Sequence, residues 1–224
     1  MIHVYPYNSP VIMTDSVFTM YGGMTGTFTQ AQRSAAYLIA EQQATTYLNA
    51  FLLPTTVTGT WGYASRITTD YGYVTDIKAV NILSQNGSTN CNLQSNNGCV
   101  FVWEDTFGYL DVGCVMNYCG CNNYVVPYQI QVSYESGLPT GVATQPAVLL
   151  ALTMAAQISL NEMIYPSQNE GVGDIGVQEY SSMGYSEKRK TLKFTAFGSS
   201  AKAQKIANLL SSTITPARHA LLLK

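Results

Sequence analysis

Five cysteines, Cys91, Cys99, Cys114, Cys119 and Cys121, fall in one short window and form the densest group of potential metal ligands. Structural zinc sites favour Cys-x2–4-Cys pairs. Cys114, Cys119 and Cys121 come nearest to such a set, but their C-x4-C-x-C spacing fits it poorly. The odd count argues against an exported disulfide framework. So does the N-terminus, where no basic start precedes an apolar run and Asp15 interrupts the place for one, so no secretory signal is expected. A bound metal, a local disulfide and reduced thiols packed as small hydrophobes stay open. His3 and His219 lie near opposite ends. A Ser–His–Asp or Cys–His centre needs a base held rigidly in a cleft, and histidines in terminal arms do not supply one. Glu104 and Asp105 are adjacent, and successive strand side chains face opposite ways, so they cannot flank one scissile bond. They read as a solvated turn. Gly22-Gly23-Met24-Thr25-Gly26 has the glycines of a phosphate loop without its Gly-Lys-Ser/Thr ending, and reads as a flexible arm. No catalytic constellation and no cofactor is expected.

The basic side chains suggest contact rather than catalysis. Lys188, Arg189, Lys190, Lys193, Lys202 and Lys205 cluster near the C-terminus. They are suited to phosphate contacts, to an acidic protein partner, or to a solvated turn and helix face. The interleaved aromatics of base-stacking modules are missing. Residues 1–187 hold all 13 acids against Arg33, Arg66 and Lys78, a formal −10; residues 188–224 hold eight bases and no acid, +8. The total of −2 therefore hides an acidic body and a basic arm. Charged residues make up 11% of the 224 and hydrophobic ones 46%, against about 25% charged in ordinary soluble proteins. That balance excludes charge-driven disorder. It implies that much of the surface is covered by something other than water.

The elements that must carry these residues follow from periodicity and punctuation. Residues 1–28, with Pro6, Pro10 and three glycines, read as an extended arm ordered through contacts with something else. A helix starts at Thr29, with Gln32 completing a capping box, and is expected to run to Leu53, where Pro54 ends it. From residue 55 to 134 the Thr, Tyr, Val and Ile content predicts strands near 66–83, 100–103, 109–115 and 128–134. The last alternates most clearly: Ile130, Val132 and Tyr134 against Gln129, Gln131 and Ser133. The uncharged Asn/Ser/Gln-rich stretch 85–98 is expected as a long loop. Pro146 opens a second long helix to about residue 165. Leu149, Leu152, Ala156, Leu160 and Met163 give it one core face. Val148, Ala151, Ala155, Ile158 and Ile164 make the opposite face apolar too. Such a helix needs cover on both sides, and a neighbouring subunit is the expected second cover, through Val148, Ala151, Ala155 and Ile158. Its Gln157, Asn161 and Glu162 make a membrane span unfavourable. A polar connection follows, with a short strand around 177–180 and weak alternation over 191–197. Ser199 is expected to cap a last helix to about Ser212. The fold class expected is α+β: about three helices, an inserted antiparallel β module over 55–140, and extended arms at 1–28 and 216–224.

The second half resembles a known family. A strand ending Tyr134-Glu135-Ser136-Gly137-Leu138-Pro139 precedes the apolar helix Gln145-Pro146-Ala147-Val148-Leu149-Leu150-Ala151-Leu152. After the polar connection, Phe197-Gly198-Ser199-Ser200-Ala201-Lys202-Ala203-Gln204-Lys205-Ile206-Ala207-Asn208-Leu209-Leu210 leads into a short basic tail. This order is similar to the head-to-tail adaptors (connector or head-completion proteins) of tailed bacteriophages. Val57-Thr58-Gly59-Thr60-Trp61 and Asp70-Tyr71-Gly72 also resemble members with a β domain inserted between the first two helices. The resemblance implies a helical adaptor core formed by residues 29–54 and 141–215. It further implies a virion neck ring, usually of twelve subunits, assembled in the host cytoplasm. The ring would join the portal to the tail or the next neck protein and surround the passing genomic DNA during packaging and ejection. The portal contact would then fall on Arg218, His219, Leu221, Leu222, Leu223 and Lys224. Residues alone indicate a non-enzymatic assembly protein with no membrane partner. A competing reading is a surface β module binding carbohydrate or a receptor through its Tyr- and Trp-rich strands. A cysteine-bound metal enzyme is a third.

Overall fold

A computed structural model describes residues 6–26, 28–62, 64, 66–83, 89–92, 101–111, 129–164, 179–182, 185–188, 196–198 and 200–217. The architecture is α+β, as the sequence predicts, and the chain divides into two compact units. One comprises Met1–Tyr47 and Gly141–Ile214, the other Leu48–Thr140 and Thr215–Lys224.

The first unit is built on helices α1 (Asp15–Met20), α2 (Gln30–Leu48), α3 (Pro146–Ile164) and α4 (Ala201–Thr213). α1 lies within the stretch read as an extended arm. It forms because the Thr14 hydroxyl caps it, accepting from the Val17 N–H at 3.2 Å. The capping box of α2 is present: the Thr29 N–H donates to Gln32 Oε1 at 2.9 Å, and the Gln32 N–H returns to Thr29 Oγ1 at 3.2 Å. Its other end departs from expectation. α2 stops at Leu48, five residues short of the expected Leu53, because Asn49 takes a left-handed conformation (φ 53°). Asparagine tolerates that region, so no proline is needed.

α3 carries the core of this unit. Val148, Ala151, Leu152, Ala155, Ala156 and Leu160 are buried, each at 1% exposure or less, and α1 and α4 pack against the helix. This corrects the expected second cover. Val148, Ala151 and Ala155 have no free surface to give a neighbouring copy, because their own chain already covers them; Ile158 is half-buried. Met163, expected in the core, is 38% exposed. Among the described residues, no helix is long and apolar enough to cross a membrane. α4 is capped by Ser200, one residue later than expected, its hydroxyl accepting from the Ala203 N–H at 3.1 Å. Between α3 and α4 lies a hairpin, β8 (Glu179–Ser182) with β9 (Tyr185–Lys188), where one short strand was expected.

Among the described residues, the second unit holds seven strands: β1 (Thr55–Gly62), β2 (Arg66–Thr68), β3 (Val74–Leu83), β4 (Thr89–Asn92), β5 (Phe101–Glu104), β6 (Tyr109–Asp111) and β7 (Gln129–Ser136). All pair antiparallel, in a four-stranded sheet ordered β1-β7-β3-β4 and a three-stranded sheet ordered β2-β6-β5. β7 alternates as read: Ile130, Val132, Tyr134 and Ser136 are buried and their neighbours half-buried. The core gathers Ile67, Val74, Val80, Leu110, Ile130, Val132 and Tyr134. Three expectations change. The run 66–83 is two strands, because the chain turns between them and Tyr73 sits at φ 52°. β1 was not among the expected strands, and β4 lies inside the stretch read as a loop.

Candidate functional site

The N-terminal arm is held by a line of side chains on α2. Arg33, Tyr37 and Glu41 recur every four residues, so they share one helix face. Glu41 is fully buried, and its carboxylate accepts three consecutive backbone N–H groups at 2.8 Å each: Val11 on Oε2, Ile12 and Met13 on Oε1. A buried charge is tolerated only when hydrogen-bonded, and the arm's main chain supplies those bonds. Two turns earlier, the Arg33 guanidinium grips Asp15 with two hydrogen bonds, 2.9 and 2.8 Å. Tyr37 donates its hydroxyl to the same carboxylate at 2.8 Å. The Arg33 hydrogen bond, then that of Tyr37, holds the Asp15 carboxyl below its ordinary pKa. Phe18 fits a fully buried slot beside Tyr37, ring centroids 5.2 Å apart, and closely over Gly23. In this chain the arm is ordered by contacts with its own α2.

The C-terminal tail is fixed where it leaves the second unit. The Ala217 N–H donates to the Leu48 carbonyl at 2.7 Å, and Asn49 Nδ2 donates to the Ala217 carbonyl at 2.9 Å. Tyr73 donates its hydroxyl to the Thr215 carbonyl at 2.8 Å. Ala217 is fully buried, and a Cβ at Gly72 would overlap it, so glycine is required there. Asn49 thus has two roles, ending α2 and holding the tail.

No family model matches the chain, and no curated protein matches it in sequence. Among solved structures it is similar to a chain in the virion of a native gene transfer agent (GTA) particle. That likeness has a TM-score of 0.47 and 12% identity over 91% of this chain and 90% of that one. It is also similar to a chain in the neck of an empty GTA particle computed with C6 symmetry. There the TM-score is 0.46, with 11% identity over 77% of this chain and 83% of the other.

The residues singled out from sequence are distributed unevenly. Arg218, His219, Leu221, Leu222, Leu223 and Lys224 lie outside the described residues, as do Arg189, Lys190 and Lys193. Lys188 ends β9, its backbone opposite Glu179. Lys202 and Lys205 are exposed on α4, away from its buried Ala203, Ile206, Ala207 and Leu210. Cys99, Cys114, Cys119 and Cys121 lie outside the described residues, and Cys91 sits in β4 opposite Ile82. Among the described residues, no group of three or more His, Cys, Asp or Glu is placed to hold a metal. Glu104 and Asp105 are exposed at the end of β5 and the turn beyond, beside a cavity of about 570 Å³ also lined by Val74, Thr75 and Val102. The Asp105 carboxylate accepts from the Thr106 N–H at 2.7 Å, an ordinary turn contact. Trp61 does not form an open stacking platform: it packs against the β core, 6.4 Å from the Tyr134 ring and over Gly59.

Proposed function

We propose that the chain is a non-enzymatic structural protein of a phage-like virion, acting in the neck. Copies form a ring, with twelve the expected number, between the portal and the tail or next neck protein. The ring provides a channel through which genomic DNA passes without sequence recognition. The protein is assembled in the host cytoplasm and ends in the virion. The observation that carries this reading is the fixed origin of the C-terminal tail. Ala217 is buried and hydrogen-bonded on both its N–H and its carbonyl. The segment that follows in sequence, Arg218-His219-Ala220-Leu221-Leu222-Leu223-Lys224, has the apolar and basic composition suited to a groove on another protein. The sequence resemblance assigns that segment to the portal. The low charge content and the separated acidic and basic parts also fit a chain that works inside an assembly.

Against the carbohydrate-binding alternative, Trp61 is half-buried and packed on the β core. The test is electron microscopy of the purified protein mixed with a candidate portal. An added ring coaxial with the portal is expected; a portal left bare at saturating protein would overturn the proposal.

A further inference from the structure

The arm and its receptor on α2 are chemically separable. Within 11–18, α2 holds three backbone N–H groups, one carboxylate and one aromatic ring, and α3 packs against α1. An arm from a second copy satisfies the same face equally well, the condition under which exchange between protomers is cheap. The path between arm and receptor is a hinge. Residues 21–26 include Gly22 (φ 84°) and Gly26 (φ 37°), both with open space around them. Of these, Tyr21, Gly22 and Gly23 return their N–H groups to Val17, Thr19 and Phe18 at the end of α1, so the reach is that of residues 24–26, about 10 Å at about 3.3 Å each. Among the described residues, the two most exposed large apolar side chains flank or lie in this hinge: Met20 at 73% and Met24 at 75%. The hinge is tied to α3 by a hydrogen bond from the Met24 N–H to Gln157 Oε1, 3.1 Å and exposed, which opening would break.

We propose that, in the assembled protein, the N-terminal arm leaves its own α2 and docks on the Arg33–Tyr37–Glu41 face of a second copy. The hinge then crosses between subunits and lays Met20 and Met24 against the neighbour. This rests on the assembly reading above and specifies its contact.

A charge exchange tests it with the full chain. Asp15→Arg places two cations together within its own chain, and Arg33→Asp places two acids together. Co-refolded, the two variants restore both pairs only between copies. Each variant alone is expected to lose at least tenfold in assembled fraction by mass photometry, and the mixture to recover it with both chains present. The same-chain double variant also restores the wild-type level. Wild-type assembly together with full assembly of either single variant, or no recovery in the mixture, overturns arm exchange and leaves the ring proposal standing. A wild-type chain that never assembles, alone or with portal, overturns both. If a variant fails to fold, photo-methionine at Met13 gives the answer in an otherwise wild-type chain. Co-refolded with heavy-isotope chains, it is expected to cross-link to heavy α2; cross-links to its own chain alone refute the exchange.

Discussion

Glu41 holds three consecutive amides, and its removal has a calculable ceiling. Each buried N–H left without an acceptor costs about 1–3 kcal/mol. The arm escapes most of that by detaching and becoming hydrated, so the loss is capped at the docking free energy of the arm. Glu41→Ala is therefore expected to cost about 2–4 kcal/mol in denaturant unfolding. Amide exchange at Val11, Ile12 and Met13 should become fast while α3 stays protected; retained protection would show that the carboxylate does not hold the arm. Tyr134 gives a pH signature. Burial is the main cause that raises its pKa well above the ordinary value of about 10. A raised acid pKa means that the folded state keeps its proton longer than the unfolded one. This contribution is complete below about pH 10 and is lost as pH rises above it. Tyr134→Phe should flatten that alkaline decline in the second unit, measured by urea midpoints between neutral and alkaline pH. The alternation of β7 already grouped Tyr134 with the apolar residues of its strand, but the role of Glu41 was not legible in sequence. A lone glutamate among alanines reads as a solvated face, and its partner is main chain about 30 residues away.

At the scale of elements, local chemistry was readable and distant packing was not. The Thr29–Gln32 box and the alternation of β7 depend on residues a few positions apart, and both are present. The end of α2 turned on one asparagine taking a left-handed conformation, which no periodicity announces; Pro54, the louder signal, stands beyond it. The buried face of α2 was hidden for another reason. It is made of Ala36, Tyr37, Ala40, Glu41, Ala44, Thr45 and Leu48, mostly small or polar residues that give no apolar stripe. β1 was hidden by its threonines and by Gly59, which belongs there because the Trp61 ring occupies the space of a side chain. Ser200 fixes the start of α4, and Ser200→Ala is expected to cost about 1 kcal/mol. Thermal unfolding of the variant checks this, and an unchanged midpoint would count against the cap.

For the whole molecule, the apolar character of α3 no longer requires a partner, since α1 and α4 take it up inside the chain. Among the described residues, the hinge methionines, Lys202 and Lys205 are exposed to partners, and the segment after Ala217 is the proposed docking segment. The anchoring of Thr215 and Ala217 changes where a truncation should be made. A chain ending at Ala217 keeps the hydrogen bonds to Leu48, Asn49 and Tyr73, and keeps the small side chain packed on Gly72. A chain ending at Ile214 loses all three bonds, at about 0.5–1.5 kcal/mol each, together with a buried contact. Removing residues 218–224 is therefore expected to leave the unfolding midpoint within experimental error while abolishing binding to the portal. Removing 215–224 is expected to lower stability by about 2–4 kcal/mol as well. Calorimetry and a portal pull-down on the two truncations separate anchor from docking segment. Full-strength portal binding by the chain ending at Ala217 would move the docking surface elsewhere. In that event the exposed Lys202 and Lys205 on α4 are the next cations to test, because the basic residues of this chain all stand on its C-terminal side apart from Arg33, Arg66 and Lys78.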